Sequence, residues 1–333
     1  MLEDMRAVAD AIRAADSVAI FSHISPDGDT IGSALALRLM LERMGKRVEN
    51  FCIDPVPEQV AFLPGANSIR CCDTLGDAER FDLLLPVDIA SRDRMGRIGD
   101  AEAFAAMKSR AVRTVQIDHH GTNPGYCDIN WVEGDAPAVG MLVLALADAL
   151  EIPLDDPLCA CLYTAIATDT GNFSFDNTSA AAFRAAARLM DAGLSLNDLN
   201  RRLFVLAPEA HIRLRARAVE RMRLLRGGTL AVLTLSRQDF ADCGALPEHA
   251  DNVVNQGLAV RGVQAAVLLR EHEDKVKASL RSVKPYTVDR VAHAFGGGGH
   301  MRASGCTLTG MTLDQAAETV CAALCESMDR EMT

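Results

Sequence analysis

Apolar residues in the first 195 positions follow two alternating patterns, short continuous runs and longer segments with a helical period. The short runs predict buried strands at residues 17–21, 47–53, 81–88 and 112–118. The longer segments predict helices at residues 2–15, 30–44, 137–150, 157–168 and 179–193. Strands that alternate with helices are typical of a parallel sheet with helices on both faces. The pattern therefore predicts an α/β fold, a doubly wound parallel sheet.

The pattern changes after residue 195. A helix predicted over residues 208–226 carries six arginines, and it fits either a solvated connector or a positive wall facing an anionic cleft. Beyond it, the periodicity predicts strands at 229–235, 262–270 and 275–282 and a helix near 248–258. We therefore predict a catalytic domain over 1–195, a helical linker over 196–226 and a smaller α/β domain over 227–333.

Ligand-type side chains stand where these predicted elements end. They are His23, Asp27 and Asp29 after the first strand, Asp88 and the Asp118-His119-His120 triplet at the ends of two later strands, and Asp169 at the end of a helix. In an open α/β sheet, ligands bind beyond the carboxyl ends of the strands. Each residue alone also fits a helix cap or a turn. The recurrence at several ends favours one common site.

The six metal-ligand candidates are four carboxylates and two imidazoles: His23, Asp27, Asp29, Asp88, His119 and Asp169. Four negative charges in one pocket repel one another strongly unless cations neutralise them. Two divalent cations with a shared carboxylate would do so and would activate a water for attack on a phosphate. Oxygen-rich ligation with some imidazole favours Mn²⁺, with Mg²⁺ or Co²⁺ as alternatives.

Composition limits the kinds of partner and the cellular compartment that fit this chemistry. The 333 residues carry a formal net charge of -11, which argues against a protein that binds long nucleic acid through bulk charge. The ten cysteines form no Cys-x-x-Cys pair, so reduced thiols are expected. The acidic N-terminus does not resemble an export signal, and no apolar run reaches the ~20 residues that span a bilayer. We expect a cytoplasmic protein that does not bind membranes.

The spacing of these motifs resembles that of the DHH phosphoesterase superfamily. The matching motifs are His23-x-x-x-Asp27-x-Asp29, Asp88 with Arg94, Asp118-His119-His120 with Asn123, and Thr168-Asp169-Thr170-Gly171. The run from Phe295 to Gly305, with four consecutive glycines followed by His300, resembles the signature of the DHH-associated domain. Size and motif set are most similar to the bifunctional oligoribonuclease (nanoRNase) and pAp phosphatase subfamily.

The resemblance implies a role for each residue. His23, Asp27 and Asp88 would hold one manganese ion, and the other would be held by Asp29, Asp88, His119 and Asp169. His120 would face the scissile phosphate, supported by Asp118, while Arg94 would either steady the metal loop or bind phosphate. The active site would lie in the cleft between the domains.

Substrate-binding candidates in the second domain are Arg281 and the run Gly297, Gly298, Gly299 and His300. Glycines let backbone N–H groups converge on an anion, although such a run is also a common flexible loop. Arg281 alternates with Ser279 on a predicted strand and could clamp a phosphate, or could be an ordinary surface residue.

The function that follows is a manganese phosphodiesterase. It would release 5′-mononucleotides from very short RNAs, dephosphorylate 3′,5′-bisphosphoadenosine (pAp) to AMP, or do both. One alternative is a phosphodiesterase acting on cyclic di-AMP or linear pApA, and another is a nucleotide-binding regulator that keeps its metals without turnover. The resemblance also suggests a homodimer.

Overall fold

The computed structural model describes residues 2–74, 76 and 79–331, and it divides the chain into two compact units. Unit 1 is Met1–Leu206 and unit 2 is Ala207–Thr333. This division falls inside the predicted linker at 196–226, whose role as a linker stays a prediction. Each unit has its own sheet and its own apolar core.

Unit 1 alternates strands with helices over most of its length. Its strands are β1 (Ser17–Phe21), β2 (Arg47–Cys52), β3 (Arg70–Cys71), β4 (Phe81–Pro86), β5 (Ala111–Asp118) and β6 (Ile129–Val132). Its helices are α1 (Leu2–Ala14), α2 (Gly28–Arg43), α3 (Ala101–Lys108), α4 (Val139–Ala149), α5 (Asp156–Asp169), α6 (Ala180–Asp191) and α7 (Leu196–Asn200). A π-helical turn at Arg201–Val205 ends the unit.

The six strands of unit 1 form one parallel sheet in the order β3-β2-β1-β4-β5-β6. Strand β1 is buried on both faces, with Val18 and Ile20 in one apolar cluster and Ala19 and Phe21 in another. Helices α1, α2, α4 and α5 contribute to the first cluster and α3 to the second. The predicted doubly wound sheet is confirmed. Its central strands β1, β4 and β5 are neighbours, so the residues after them share one edge of the sheet.

Small residues let the helices behind this edge approach closely. A Cβ atom on Gly28 of α2 would lie 2.4 Å from the Thr168 hydroxyl oxygen, and one on Gly32 would lie 2.6 Å from the Cys161 carbonyl oxygen. A Cβ atom on Gly140 of α4 would meet that of Ala165 at 2.6 Å. The N-termini of α2 and α4 and the C-terminal end of α5 are therefore held together.

Unit 2 contains a mixed sheet. Its strands are β7 (Arg223–Leu225), β8 (Leu230–Leu235), β9 (Ala265–Glu271), β10 (Lys275–Ser282), β11 (Gly298–His300) and β12 (Ala303–Thr309). Its helices are α8 (Glu209–Glu220), α9 (Arg237–Cys243), α10 (Asn255–Leu258), α11 (Asp289–Ala294) and α12 (Leu313–Arg330). The order is β11-β12-β10-β9-β8-β7, and only the β8–β9 pair is parallel. The predicted smaller α/β domain is confirmed.

Two element predictions in unit 2 are wrong. The helix predicted over 208–226 ends at Glu220, because Arg223–Leu225 pairs with β8 through a turn at Arg226–Gly228. The helix predicted near 248–258 is a 3₁₀ turn at Pro247–Ala250 followed by the short α10. Asn252 lies between them with a φ of 60°, and this left-handed conformation breaks a continuous helix.

The arginines around α8 are largely paired with acids. Arg213 contacts Glu209, Arg217 and Arg221 contact Asp239, and Arg226 contacts Asp329. These pairs argue against a free positive wall, and the connector role of this helix stays a prediction. Throughout the part of the chain that the structure describes, each helix is too short or too polar to cross a bilayer.

Candidate metal centre

The first two ligand candidates are placed by the turn between β1 and α2. Asp27 is the N-cap of α2, and its Oδ1 accepts hydrogen bonds from the N–H groups of Asp29 (3.0 Å) and Thr30 (3.1 Å). Its other oxygen lies 3.7 Å from Nε2 of His23. Asp27 is therefore both a helix cap and a ligand candidate, two interpretations that the sequence presents as alternatives.

Asp88 lies at the centre of the site. Its side chain is only 3% exposed, and its backbone has a φ of 60°, which few non-glycine residues adopt. Its N–H donates to the Ile117 carbonyl of β5 (2.9 Å), which fixes the residue just beyond β4. Oδ2 lies 3.7 Å from Nε2 of His23 and Oδ1 lies 3.5 Å from Nε2 of His119. The two oxygens of Asp88 thus face two different imidazoles.

His119 follows β5 and presents Nε2 to three carboxylates. Its Nδ1–H donates to the Ala136 carbonyl (3.0 Å), which leaves the lone pair on Nε2. That nitrogen lies 3.5 Å from Asp88, 3.6 Å from Asp169 at the end of α5, and 3.9 Å from Asp29. The predicted convergence of strand ends and one helix end is therefore present.

Asp29 is bound by groups that the sequence does not reveal. Its Oδ2 accepts from the N–H of Val139 (2.6 Å), and its Oδ1 accepts from the N–H of Gly140 (3.0 Å) and the Ser33 hydroxyl (3.0 Å). Val139 and Gly140 begin α4, whose N-terminal dipole favours a carboxylate. No motif marks these N–H groups, because any residue type supplies them.

A buried chain of hydrogen bonds orients His120. Its Nδ1–H donates to Oδ1 of the fully buried Asp118 (2.7 Å), and Asn123 donates to the other carboxylate oxygen (2.5 Å). Gln116 in turn donates to Oδ1 of Asn123 (2.9 Å). This chain fixes the ring and leaves Nε2 of the part-exposed His120 available for another group.

Electrostatics show how unfavourable this pocket is without cations. Burial is the largest effect on Asp29, Asp88 and Asp169, and together with their neighbouring carboxylates it raises the pKa of each, that of Asp169 to about 6. Burial would lower the pKa of His23, but hydrogen bonds to Asp27 and Asp88 outweigh it and raise the pKa to about 10. In the metal-free protein, protons offset part of the negative charge. Cations that bind there would displace them.

The hydrogen bond between Asp118 and His120 changes both pKa values. It raises the pKa of His120. Burial acts to raise the pKa of Asp118, but bonds from His120 and Asn123 lower it overall. This pair therefore favours a protonated imidazole beside an ionised carboxylate.

The donor set fits divalent cations. Three groups bring possible ligand atoms within 4.8 Å of one another: His23 with Asp27 and Asp88, Asp29 with His119 and Asp169, and Asp88 with His119 and His120. Octahedral ligand atoms about 2.1 Å from one ion lie about 3.0 to 4.2 Å apart, and the nitrogen–oxygen separations here are 3.5 to 3.9 Å. Oδ1 of Asp88 is buried and accepts no hydrogen bond from the described residues. A cation would satisfy this oxygen.

Arg94 lies beside His23. Its Nη2 is 3.1 Å from Nδ1 of that imidazole, and its carbonyl accepts from the Ile24 N–H (2.7 Å). The same Nδ1 lies 2.8 Å from the Ile24 carbonyl, so its proton is donated there, and the guanidinium rests against the ring without a hydrogen bond to it. This position suits steadying of the metal loop, and contact of Arg94 with phosphate stays a prediction.

The second group of candidates lies in unit 2. Gly297 and Gly299 allow β11 to approach β12 closely, since Cβ atoms there would lie 2.1 Å and 2.6 Å from the carbonyl oxygens of Gly305 and Ala303. Gly298 has open space around it apart from His293, while the side chain of His300 lies outside the described residues. The close approach of β11 to β12 therefore explains why glycines are needed at these positions. Anion binding by the glycine run stays a prediction.

Arg281 lies on β10 of unit 2, where its Nη1 donates to the Leu280 carbonyl (3.0 Å). Burial lowers its pKa. Nearby residues of the same unit, including Arg270, Lys277 and Gly297, line an open groove of about 280 Å³. Nε of Arg270 is buried there without a hydrogen-bond partner among the described residues. This unit thus presents guanidinium and ammonium groups around a groove.

Comparison with known proteins agrees with this geometry. Residues 17–166 match the DHH family, N-terminal domain, and residues 227–326 match the DHHA1 domain. A relative from Thermus thermophilus, the bifunctional oligoribonuclease and PAP phosphatase NrnA, is 33% identical over 329 residues, which cover 98% of this chain and 95% of the relative.

Two solved structures share the fold. An exopolyphosphatase-related protein from Bacteroides fragilis superposes with a TM-score of 0.92 at 24% identity, covering 100% of this chain and 98% of that one. RecJ from Thermus thermophilus in complex with Mn²⁺ gives a TM-score of 0.52 at 14% identity, covering 98% of this chain and 54% of RecJ.

Proposed function

This chain belongs to the DHH family and is a phosphoesterase, and from that premise we propose that it hydrolyses short oligoribonucleotides to 5′-mononucleotides and pAp to AMP. The observation that carries the proposal is Asp88, whose two oxygens face the separate imidazoles of His23 and His119. Such a shared carboxylate suits the two-cation centres that cleave phosphate esters. The similarity to the oligoribonuclease and PAP phosphatase of Thermus thermophilus supports the substrate class.

In this proposal His23, Asp27 and Asp88 hold one cation, and Asp29, Asp88, His119 and Asp169 hold the other. When bound, the two cations supply charge neutralisation and an activated water. The mixed imidazole and carboxylate donors favour Mn²⁺ over Zn²⁺, and the Mn²⁺ bound by RecJ supports this choice. Each imidazole meets its cation through Nε2, because the Nδ1–H of each is donated to a carbonyl.

His120 acts on the substrate in this scheme. Asp118 holds its ring and keeps the imidazole protonated, so its Nε2–H can donate to the reacting phosphate or protonate the leaving oxygen. Arg281 and the glycine run of unit 2 are proposed to bind the part of the nucleotide remote from that phosphate. The groove of unit 2 supports this assignment, because Gly297 lines it and its lining residues Lys277 and Ser279 alternate with Arg281 on the same face of β10.

A substrate panel tests the proposed function. The purified chain with Mn²⁺ is given pAp, a diribonucleotide, a five-nucleotide RNA, linear pApA and cyclic di-AMP, and kcat/KM is measured for each. We expect pAp and the short RNAs to be hydrolysed most efficiently. A tenfold preference for cyclic di-AMP would contradict the proposal, and nucleotide binding without any turnover would identify a regulator.

His120→Ala tests whether His120 acts on the substrate or binds a metal ion. Because Nδ1 of His120 is held by Asp118, we expect this variant to keep its two Mn²⁺ ions while kcat falls about 10²-fold or more. Metal content by elemental analysis and steady-state kinetics measure the two effects. His272→Ala removes an imidazole from the turn between β9 and β10 and serves as the control. Loss of metal in His120→Ala would make this residue a ligand.

A further inference from the structure

The segment after α5 carries an exposed aromatic ring a few residues beyond the ligand candidate Asp169. Phe175 is 59% exposed and lies six positions beyond Asp169. The chain turns back here, because the N–H groups of Ser174 and Phe175 both donate to the Thr170 carbonyl (2.9 and 3.0 Å). The ring is thus kept close to the backbone that ends α5.

Gly171 determines where this ring rests. A Cβ atom on Gly171 would lie 2.4 Å from Cε1 of Phe175, so the ring occupies the space that a side chain at 171 would fill. Gly171 has a φ of 57°, which glycine adopts without strain. Asn177 donates to the carbonyls of Asp169 and Pro137 (3.0 Å each) and ties the segment down. The ring is therefore fixed two residues from Asp169, with much of its surface free.

The other phenylalanine of this segment has a different role. Phe173 stacks on Phe183 with a centroid distance of 5.1 Å and meets Tyr163 at 5.9 Å. It also packs against the apolar core of unit 1. Phe173 thus anchors the segment to the apolar core of unit 1. The exposed part of the Phe175 ring is not needed for that anchoring.

We propose that Phe175 forms a stacking subsite for the nucleobase of the nucleotide whose phosphate is cleaved at the metal centre, an inference that rests on the proposed function. Proteins that bind single-stranded nucleic acid without reading sequence stack bases on exposed aromatic rings. Such stacking requires a flat ring in a fixed position, and the contact with Gly171 holds the ring against the backbone two residues after Asp169. Any base would be accepted, since each has a π-face.

The test compares pAp with its abasic analogue, in which hydrogen replaces the base. Phe175→Ala should raise KM for pAp about 10-fold, within the 5- to 150-fold range of base stacking, and leave kcat unchanged. Hydrolysis of the abasic analogue should be unaffected. Phe175→Leu should behave like Phe175→Ala, whereas Phe175→Trp should retain the low KM because it keeps a flat ring.

Phe204→Ala is the matched control, since Phe204 is 36% exposed in the turn that ends unit 1, outside the Phe175 segment, and should not affect either substrate. Equal losses on pAp and the abasic analogue, or no loss on either, would overturn the subsite. If Phe175→Ala raises KM and also reduces the mass measured by sedimentation, the exposed ring belongs to an interface between copies and the proposal is wrong.

A binding measurement separates this inference from the proposed function. The single natural tryptophan, Trp131, is buried, so Phe175→Trp adds an exposed fluorophore. AMP should quench its fluorescence, and ribose 5-phosphate should not. If the wild-type chain hydrolyses neither pAp nor RNA, quenching by AMP alone would retain the subsite while the proposed function fails. Equal or absent quenching would remove the subsite.

Discussion

Asp88 combines three properties that ordinary carboxylates avoid: burial, a left-handed backbone and a buried oxygen without a hydrogen bond from the described residues. Each is unfavourable by itself, the backbone conformation by about 1 kcal/mol or more. Aspartate tolerates that conformation better than most residues. The position of Asp88 between two imidazoles gives the three properties a common explanation. A bound cation would interact with the buried carboxylate and offset the free energy that burial, backbone conformation and the missing hydrogen bond cost.

Asp88→Asn should separate metal binding from stability. A carboxyl whose pKa is raised on folding destabilises the folded state when it ionises, and burial raises the pKa of Asp88. Asparagine keeps the shape and accepts the left-handed backbone. In EDTA we therefore expect a higher Tm for Asp88→Asn than for the wild-type chain.

With free Mn²⁺ at about 100 times the Kd of each site, the wild-type chain should gain roughly 2.7 kcal/mol for each ion bound and Asp88→Asn much less. Thermal scans with and without Mn²⁺ measure both effects. Asp93→Asn, at an exposed position, is the control and should follow the wild-type chain. A lower Tm in EDTA for Asp88→Asn would contradict this account of the pocket.

At this scale the sequence predicts which ligand-type side chains lie close together, and it does not predict the groups that hold them in place. His23, Asp88 and His119 stand out because they follow apolar runs, and the structure brings them together. The N–H groups of Val139 and Gly140 that hold Asp29 carry no signal, since every backbone has them. Partners of this kind emerge only from the packing of α4 against α2.

At the scale of elements, long periodic segments are predicted within a few residues and short or strained ones are missed. Helix α2 begins at Gly28 where the pattern predicts residue 30, because Asp27 caps it. The edge strand β7 was predicted as helix, since its three residues form a strand only through pairing with β8. The left-handed Asn252 is likewise invisible to periodicity.

The capping box of α9 provides an element-scale prediction. Asp239 is 1% exposed, bonds to the N–H and hydroxyl of Ser236, and contacts Arg217 and Arg221 of the preceding segment. Burial would raise its pKa, but the bonds to Ser236 and the two arginines lower it overall. Its ionised form therefore stabilises unit 2 above the ordinary carboxyl pKa, and that contribution is lost as pH falls through the lowered value.

Asp239→Asn should reduce the free energy of unfolding by about 2 kcal/mol at pH 7, a figure kept low because both arginines are partly exposed. The difference from the wild-type chain should shrink below about pH 4. Urea titrations at pH 7 and pH 3 measure it. Asp242→Asn alters an exposed carboxylate on the same helix and should stay within about 0.5 kcal/mol of wild type. If the two chains differ as much in free energy of unfolding at pH 3 as at pH 7, the change in side-chain shape, and not the lost charge, would explain the destabilisation.

At the scale of the whole molecule, the two units have separate cores and the proposed metal ligands all belong to unit 1. We therefore expect calorimetry to show two unfolding transitions. Mn²⁺ should raise the transition of unit 1 and leave that of unit 2 nearly unchanged. Asp239→Asn, which alters unit 2, identifies the second transition. A single transition that moves as one with Mn²⁺ would show that the units unfold together.

The fold class was predictable at this scale because alternation of strand and helix leaves few arrangements. The strand order was not, since hydrophobic patterns do not say which strands pair. That order has a consequence for biosynthesis. The six proposed ligands extend from residue 23 to residue 169, and β1 pairs with β4 only after β2 and β3 have been made. At ~5–20 residues per second, roughly 7 to 30 seconds separate translation of His23 from that of Asp169. The acidic pocket of a nascent chain thus stays incomplete until residue 169 has been made, and full metallation must follow synthesis of the first half of the protein.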